Sequence, residues 1–142
     1  MLPASLGRLR ANANQVGSFE SEGMKGSAKA IMDFKEAIRL YPDTSCTYGK
    51  FAWLLATCPE QSVRDGERAI QMATKACELT EWEDCQELAV LAAAYAEAGQ
   101  FGEAERYQMK ALEDPAYHGL AGDGFRQRLE LYKQKKPYRD RT

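Results

Sequence analysis

Residues 88–104, LAVLAAAYAEAGQFGEA, contain the strongest structural signal in this sequence. Apolar side chains recur in this stretch at steps of three and four residues, which is the spacing of one face of an α-helix. Gly99 interrupts the pattern, and Ala104 begins a second run with the same spacing. The stretch therefore predicts two short helices joined by a tight turn.

The same helical spacing recurs along most of the chain, whereas the alternation of apolar and polar residues that is typical of strands is almost absent. We therefore predict an all-α fold. Apolar helical stripes begin at six positions: Ala30, Tyr48, Ala69, Leu88, Ala104 and Phe125.

Two parts of the chain share one pattern. Residues 48–55 and 88–95 both show large-x-x-large-small-x-x-large at a shift of 40 (88 − 48), and residues 69–78 match residues 104–113 at a shift of 35 (104 − 69). The shifts differ by 40 − 35 = 5, so the turn in the earlier copy has five extra residues. This pattern resembles the tetratricopeptide repeat, with a period of about 34 residues. The resemblance covers residues 27–115, and the closing RLELYKQKKPYRD looks like a bacterial subfamily.

The resemblance implies one domain, an α-solenoid of about three antiparallel helix pairs with a C-terminal capping helix, in which neighbouring pairs stack to bury their apolar faces. The tail is basic, and we take it as solvent-exposed. The expected segments are a degenerate first helix (1–26), the second helix of repeat 1 (27–43), repeat 2 (44–84) with a long inter-helix turn (57–66), repeat 3 (85–115), a capping helix (116–136) and a tail (137–142).

Composition excludes several classes of function. The 142 residues carry a formal net charge of −2 without a dominating basic block, so we expect neither nucleic acid nor a membrane as a partner. The N-terminal residues lack the apolar run of a signal peptide, which favours a cytoplasmic protein with reduced cysteines.

The sequence gives little support for catalysis. Cys58 is the best candidate nucleophile, but the only histidine that could act as its base is His118, and a helix C-terminus raises a thiol pKa. The four cysteines form no C-x-x-C pair, and no phosphate-binding glycine motif occurs. We therefore predict no enzymatic activity, no metal and no cofactor.

A binding surface is the remaining expectation. In tetratricopeptide arrays the first helix of each pair lines a concave groove, and the long turn lies on its rim. The resemblance thus implies a scaffold that binds a protein or peptide; the alternatives are a self-associating structural module and an enzyme using Cys58. Trp53 either anchors a partner's apolar side chain or packs under the N-terminal helix or the next pair. The candidate partner-binding residues are Lys50, Trp53, Gln86, Val90 and Glu97 in the groove, with Arg64 and Asp65 in the turn.

Overall fold

Six α-helices follow one another along the part of the chain that the computed structural model describes, residues 19–141, with side chains from residue 26 onward. This part contains no strand, so the prediction of an all-α fold is confirmed. Two 3₁₀ turns, Pro115–Tyr117 and Leu120–Gly122, precede the last helix. The helices are α1 (Phe19–Leu40), α2 (Ser45–Thr57), α3 (Gly66–Leu79), α4 (Cys85–Glu97), α5 (Phe101–Ala111) and α6 (Asp123–Lys133).

Consecutive helices pack against each other, and α4 joins them into one core. Helix α2 lies against α3, and α4 lies against α2, α3 and α5. Helix α1 packs against α2, and α6 packs against α5. Small side chains let the helix axes approach closely. Alanines with no exposed surface lie at these contacts, at positions 52, 69, 73, 92 and 104.

Several segment boundaries differ from the expected ones. Helix α1 begins at Phe19 and continues unbroken across the expected boundary between residues 26 and 27. The rest of the expected first helix, residues 1–18, lies outside the described residues. The capping helix is also shorter than expected, because two 3₁₀ turns precede it within residues 115–122 and it ends at Lys133. The Asp114 side chain, which accepts the Ala116 amide hydrogen at 2.9 Å, caps the first of these turns.

Three helices end in the same left-handed turn, although only one of them has a glycine there. After α4, Gly99 has φ +84°, and the Gln100 N–H donates to the Tyr95 carbonyl at 2.9 Å. This six-to-one bond is the Schellman motif, which satisfies a carbonyl at the helix end. Glu81 after α3 (φ 57°) and Lys135 after α6 (φ 62°) take the equivalent position. The turn at Lys135 redirects the chain after α6.

Gly99→Ala is expected to lower the free energy of unfolding by about 1 kcal/mol, because an L side chain is strained at positive φ. The matched control is Gly102→Ala in α5, where a β-carbon meets nothing within 4 Å and the φ is ordinary. This control is expected to raise stability slightly through helix propensity. Urea denaturation measures both changes, and equal effects at the two positions would contradict the role of Gly99.

Candidate functional site

An open groove of about 350 Å³ lies between α2 and α4 and is bounded on one side by α6. The lining residues of α2 and α4 recur at steps of three and four, so each helix presents one face to it. We call this space the inter-helix groove. It is lined by Cys46, Gly49, Lys50 and Trp53 of α2, Gln86, Glu87, Ala89 and Val90 of α4, and Phe125 and Arg128 of α6.

The structure brings four of the seven candidate residues together. Lys50, Trp53, Gln86 and Val90 all line the inter-helix groove. Glu97 lies instead at the C-terminal end of α4, where its carboxylate pairs with Arg64 Nε at 3.2 Å and with an Arg139 guanidinium nitrogen at 2.8 Å. Two residues expected at separate places, Glu97 and Arg64, therefore form one charged cluster with the C-terminal tail.

The long turn between α2 and α3 is held by the two residues that the sequence singled out in it. The Arg64 guanidinium donates to the carbonyls of Cys58 at 2.7 Å and Pro59 at 3.1 Å. Asp65 caps α3, because its side chain accepts the Arg68 N–H at 3.1 Å. Both side chains thus have intramolecular roles, and their contact with a partner stays a prediction.

Glu87 is a groove residue that the sequence analysis did not single out. Burial raises the pKa of its carboxyl to about 7, and the nearby Asp84 carboxylate adds to this shift. A β-carbon at Gly49 would collide with the Glu87 carboxyl, so the glycine makes room for it on the facing helix. In the sequence Glu87 is one of several acidic residues at a helix start; only its packing against α2 distinguishes it.

Glu87→Gln is expected to stabilise the protein above neutral pH. The folded state holds the Glu87 proton up to a pKa of about 7, whereas the unfolded state releases it near 4.5. Because the folded state binds more protons between these values, wild-type stability falls as pH rises through this window. Glutamine does not titrate. After discounting for partial solvent exposure, we expect the variant to be about 1 kcal/mol more stable at pH 8.

Urea denaturation at pH 8 and pH 4.5 measures this difference. We expect it to shrink at pH 4.5, where the folded wild type keeps its proton and the unfolded state holds about half of it. Glu113→Gln, on an exposed side chain outside the groove, is the matched control. A gain for Glu87→Gln that is the same at both pH values would contradict the assignment.

Trp53 packs against the chain's own C-terminal tail and α6. Its Nε1–H donates to Asp140 Oδ2 at 2.7 Å, and its ring centroid lies 5.7 Å from that of Tyr138. Neither packing position considered from the sequence describes this contact. The expectation of a solvent-exposed tail is wrong for residues 137–140, which are half-buried.

Helix α6, expected from the sequence to be only a cap, supplies the third wall of the groove. The buried Gln108 side chain holds the start of α6 by donating its amide hydrogen to the Phe125 carbonyl at 2.9 Å. One turn later, the Arg128 guanidinium lies 5.3 Å from the Trp53 ring centre and 5.3 Å from that of Tyr138. Aromatic faces attract a cation at this distance. Arg128 therefore connects the groove to the tail.

The candidate catalytic residues lie in separate surroundings. Cys58 is buried at the end of α2, with its Sγ 3.9 Å from Ser27 Oγ of α1. His118 is exposed and follows the first 3₁₀ turn, next to α6. Within residues 26–141 no three His, Cys, Asp or Glu side chains are grouped so that they could hold a metal ion.

Comparison of the chain with known protein families, curated proteins and solved structures finds no match. Across the described range, no helix combines the length and the hydropathy needed to cross a lipid bilayer. The residues and geometry of the inter-helix groove are therefore the basis for inferring function.

Proposed function

We propose that this chain is a protein-binding module, an α-solenoid of tetratricopeptide-like helix pairs whose inter-helix groove holds a peptide segment of a partner. One observation carries the proposal: α2 and α4 place Lys50, Trp53, Gln86 and Val90 on one open surface. Helices packed through buried alanines form a preorganised receptor, so the partner gains contacts without the receptor losing much conformational entropy.

The groove suits a segment with an apolar side chain next to a charged group. Ala89, Val90 and Phe125 supply apolar surface, while Lys50 and Arg128 add two cations. A volume of about 350 Å³ is at the small end for ligand pockets, and we expect it to admit one or two side chains. The partner is therefore expected to make its main contact through a short anchor.

Affinity capture from the source cell tests the proposal. Val90→Arg places a long charged side chain on the groove wall, and Leu120→Arg makes the same change at a residue that is 88% exposed and outside the groove. We expect a specific partner to be retained by wild type and by Leu120→Arg and lost with Val90→Arg. Equal capture by all three proteins would overturn the proposal.

The test depends on folded variants, because Val90 also packs against the core. Circular dichroism checks their helix content. Trp53→Ala provides a second groove variant that introduces no charge, and we expect it to weaken capture as well. If both groove variants are folded and capture is unchanged, the partner binds elsewhere on the molecule.

A self-associating structural module is the second candidate function. Helix α1 and the turn after it expose large apolar side chains, Met32 at 65% and Tyr41 at 67%. Exposed apolar surface of this kind favours association between copies. Light scattering distinguishes the candidates: a mass that stays monomeric at all concentrations would exclude self-association, and a dimer that Met32→Lys dissociates would support it.

Alkylation of the four cysteines tests the third candidate, an enzyme using Cys58. We expect iodoacetamide at pH 8 to modify the exposed Cys46 first and to leave buried Cys58 and Cys77 unmodified in the folded protein. Burial raises the pKa of Cys77 to about 12, so its thiolate is scarce at this pH. Mass spectrometry of tryptic peptides measures each site. Rapid modification of Cys58 would instead support the enzyme.

A further inference from the structure

The C-terminal tail is a short segment without regular secondary structure that lies across the ends of α2 and α4. The Asp140 N–H donates to the carbonyl of Thr57, the last residue of α2, at 2.8 Å. Arg139 reaches the carboxylate of Glu97, the last residue of α4, at 2.8 Å. The neighbouring tail residues Arg139 and Asp140 therefore contact different helices.

The tail's contacts are those by which a receptor recognises a peptide. A backbone hydrogen bond to Thr57 positions the chain, and Tyr138 packs against an aromatic ring. The Asp140 carboxylate accepts a hydrogen bond from the Trp53 indole, and Arg139 pairs with an acidic side chain. Three consecutive side chains, aromatic, basic and acidic, are thus matched by groups on the helices: Tyr138 and Asp140 by Trp53, and Arg139 by Glu97. We call the surface formed by Trp53, Thr57, Glu97 and Arg128 the tail subsite.

The tail subsite is continuous with the inter-helix groove. Trp53 and Arg128 belong to both, because they line the groove and also contact Tyr138. A peptide that follows the groove toward the C-terminal ends of α2 and α4 would meet the tail at Trp53. Because the tail occupies the tail subsite, such a peptide cannot fill both the groove and the tail subsite unless the tail leaves.

We infer that residues 137–141 are an internal ligand, and that the partner segment presents the same order of aromatic, basic and acidic side chains and displaces the tail from Trp53, Thr57 and Glu97. This inference rests on the proposed function and names the chemistry of the partner. A tethered ligand competes at an effective concentration in the millimolar range. If the open state makes up about 1–10% of molecules, the tail lowers the apparent affinity for the partner roughly tenfold to a hundredfold.

Fluorescence anisotropy with a labelled peptide of residues 136–141, KPYRDR, tests the inference on the 142-residue chain. The tail-weakened variant is Tyr138→Ala combined with Asp140→Ala. We expect it to bind the probe at least tenfold more tightly than wild type does. A control probe with alanine in place of its tyrosine and aspartate is expected to bind neither protein. Equal probe affinity for wild type and variant, or absence of binding to the variant, would overturn the inference.

A further variant locates the probe. Trp53→Phe, added to the tail-weakened variant, keeps an aromatic ring but removes the indole N–H that Asp140 uses. We expect severalfold weaker probe binding, and unchanged binding would contradict a probe seated at Trp53. Circular dichroism confirms that each variant is folded. If a variant is unfolded, competition of excess unlabelled KPYRDR with a captured partner on wild-type protein provides the same test, and failure to compete would overturn the inference.

Different experimental results would overturn the inference and the proposed function. Absence of probe binding would overturn only the internal ligand, whereas capture unaffected by Val90→Arg would overturn the binding groove itself. Light scattering tests another possible arrangement, in which the tail subsite is filled by the tail of a second copy of the chain. A wild-type dimer that the tail-weakened variant cannot form would show that the tail docks on a neighbouring molecule, and would overturn the intramolecular contact.

Discussion

Replacing Glu97 with alanine is expected to lower the free energy of unfolding by about 2–3 kcal/mol. The Glu97 side chain is only 17% exposed, and its carboxylate pairs with both Arg64 and Arg139, whose side chains are 14% and 21% exposed. Its removal leaves two half-buried cations without their shared anion, which costs more than the net contribution of the intact pairs. Urea denaturation at neutral pH measures the loss.

The matched control is Glu103→Ala in α5. Glu103 pairs with Arg106 at 2.7 Å, closer than the pairs that Glu97 makes, but these side chains are 43% and 59% exposed. Exposed pairs of this type contribute less than about 0.5 kcal/mol. Similar losses for Glu97→Ala and Glu103→Ala would contradict the importance of burial. A double-mutant cycle with Arg139→Ala separates the tail's share of the Glu97 cluster from that of the long turn.

Gly122→Ala is expected to cost about 2–3 kcal/mol, because a β-carbon at this buried position would overlap the carbonyl oxygen of Tyr117. The clash is with backbone atoms, which cannot move aside as a flexible side chain does. Gly122 immediately precedes α6, so the displaced helix would carry Phe125 and Arg128 away from the groove. We therefore expect thermal denaturation to show a lower midpoint.

Gly124→Ala is the control for this prediction. It lies two residues further along, inside α6, where an added β-carbon meets only the Arg128 side chain, at 3.7 Å. Helix propensity then decides the outcome, and we expect a gain of about 0.5 kcal/mol. Opposite signs at positions 122 and 124 would support a backbone contact as the cause, and a similar effect at both would contradict it.

Sequence periodicity predicts which groove residues share a helix face, and the repeat resemblance indicated that this face lines a groove. Cys46, Lys50 and Trp53 recur at steps of four and three, and any α-helix places such residues on one face. Gln86 and Val90 follow the same rule on α4. These residues line the groove in the structure, and the all-α fold also follows from spacing alone. Local periodicity is sufficient to predict which residues share a helix face, because it depends only on backbone geometry within one helix.

The remaining walls and partners could not be predicted in this way. Phe125 and Arg128 belong to the groove because α6 packs beside it, and Glu87 changes its pKa because α2 buries it. The Trp53–Asp140 hydrogen bond joins residues 87 positions apart. No local pattern encodes such a pairing.

Helices α2 to α5, the groove residues Lys50, Trp53, Gln86 and Val90, and the lengthened turn between α2 and α3 were predictable from the sequence. The cluster of Arg64, Glu97 and Arg139 and the packing of the tail on Trp53 depend instead on tertiary contacts. Periodicity reflects which side of a single helix is buried. A contact between distant segments depends instead on how the helices pack, because the packing sets the path of the chain beyond the last helix.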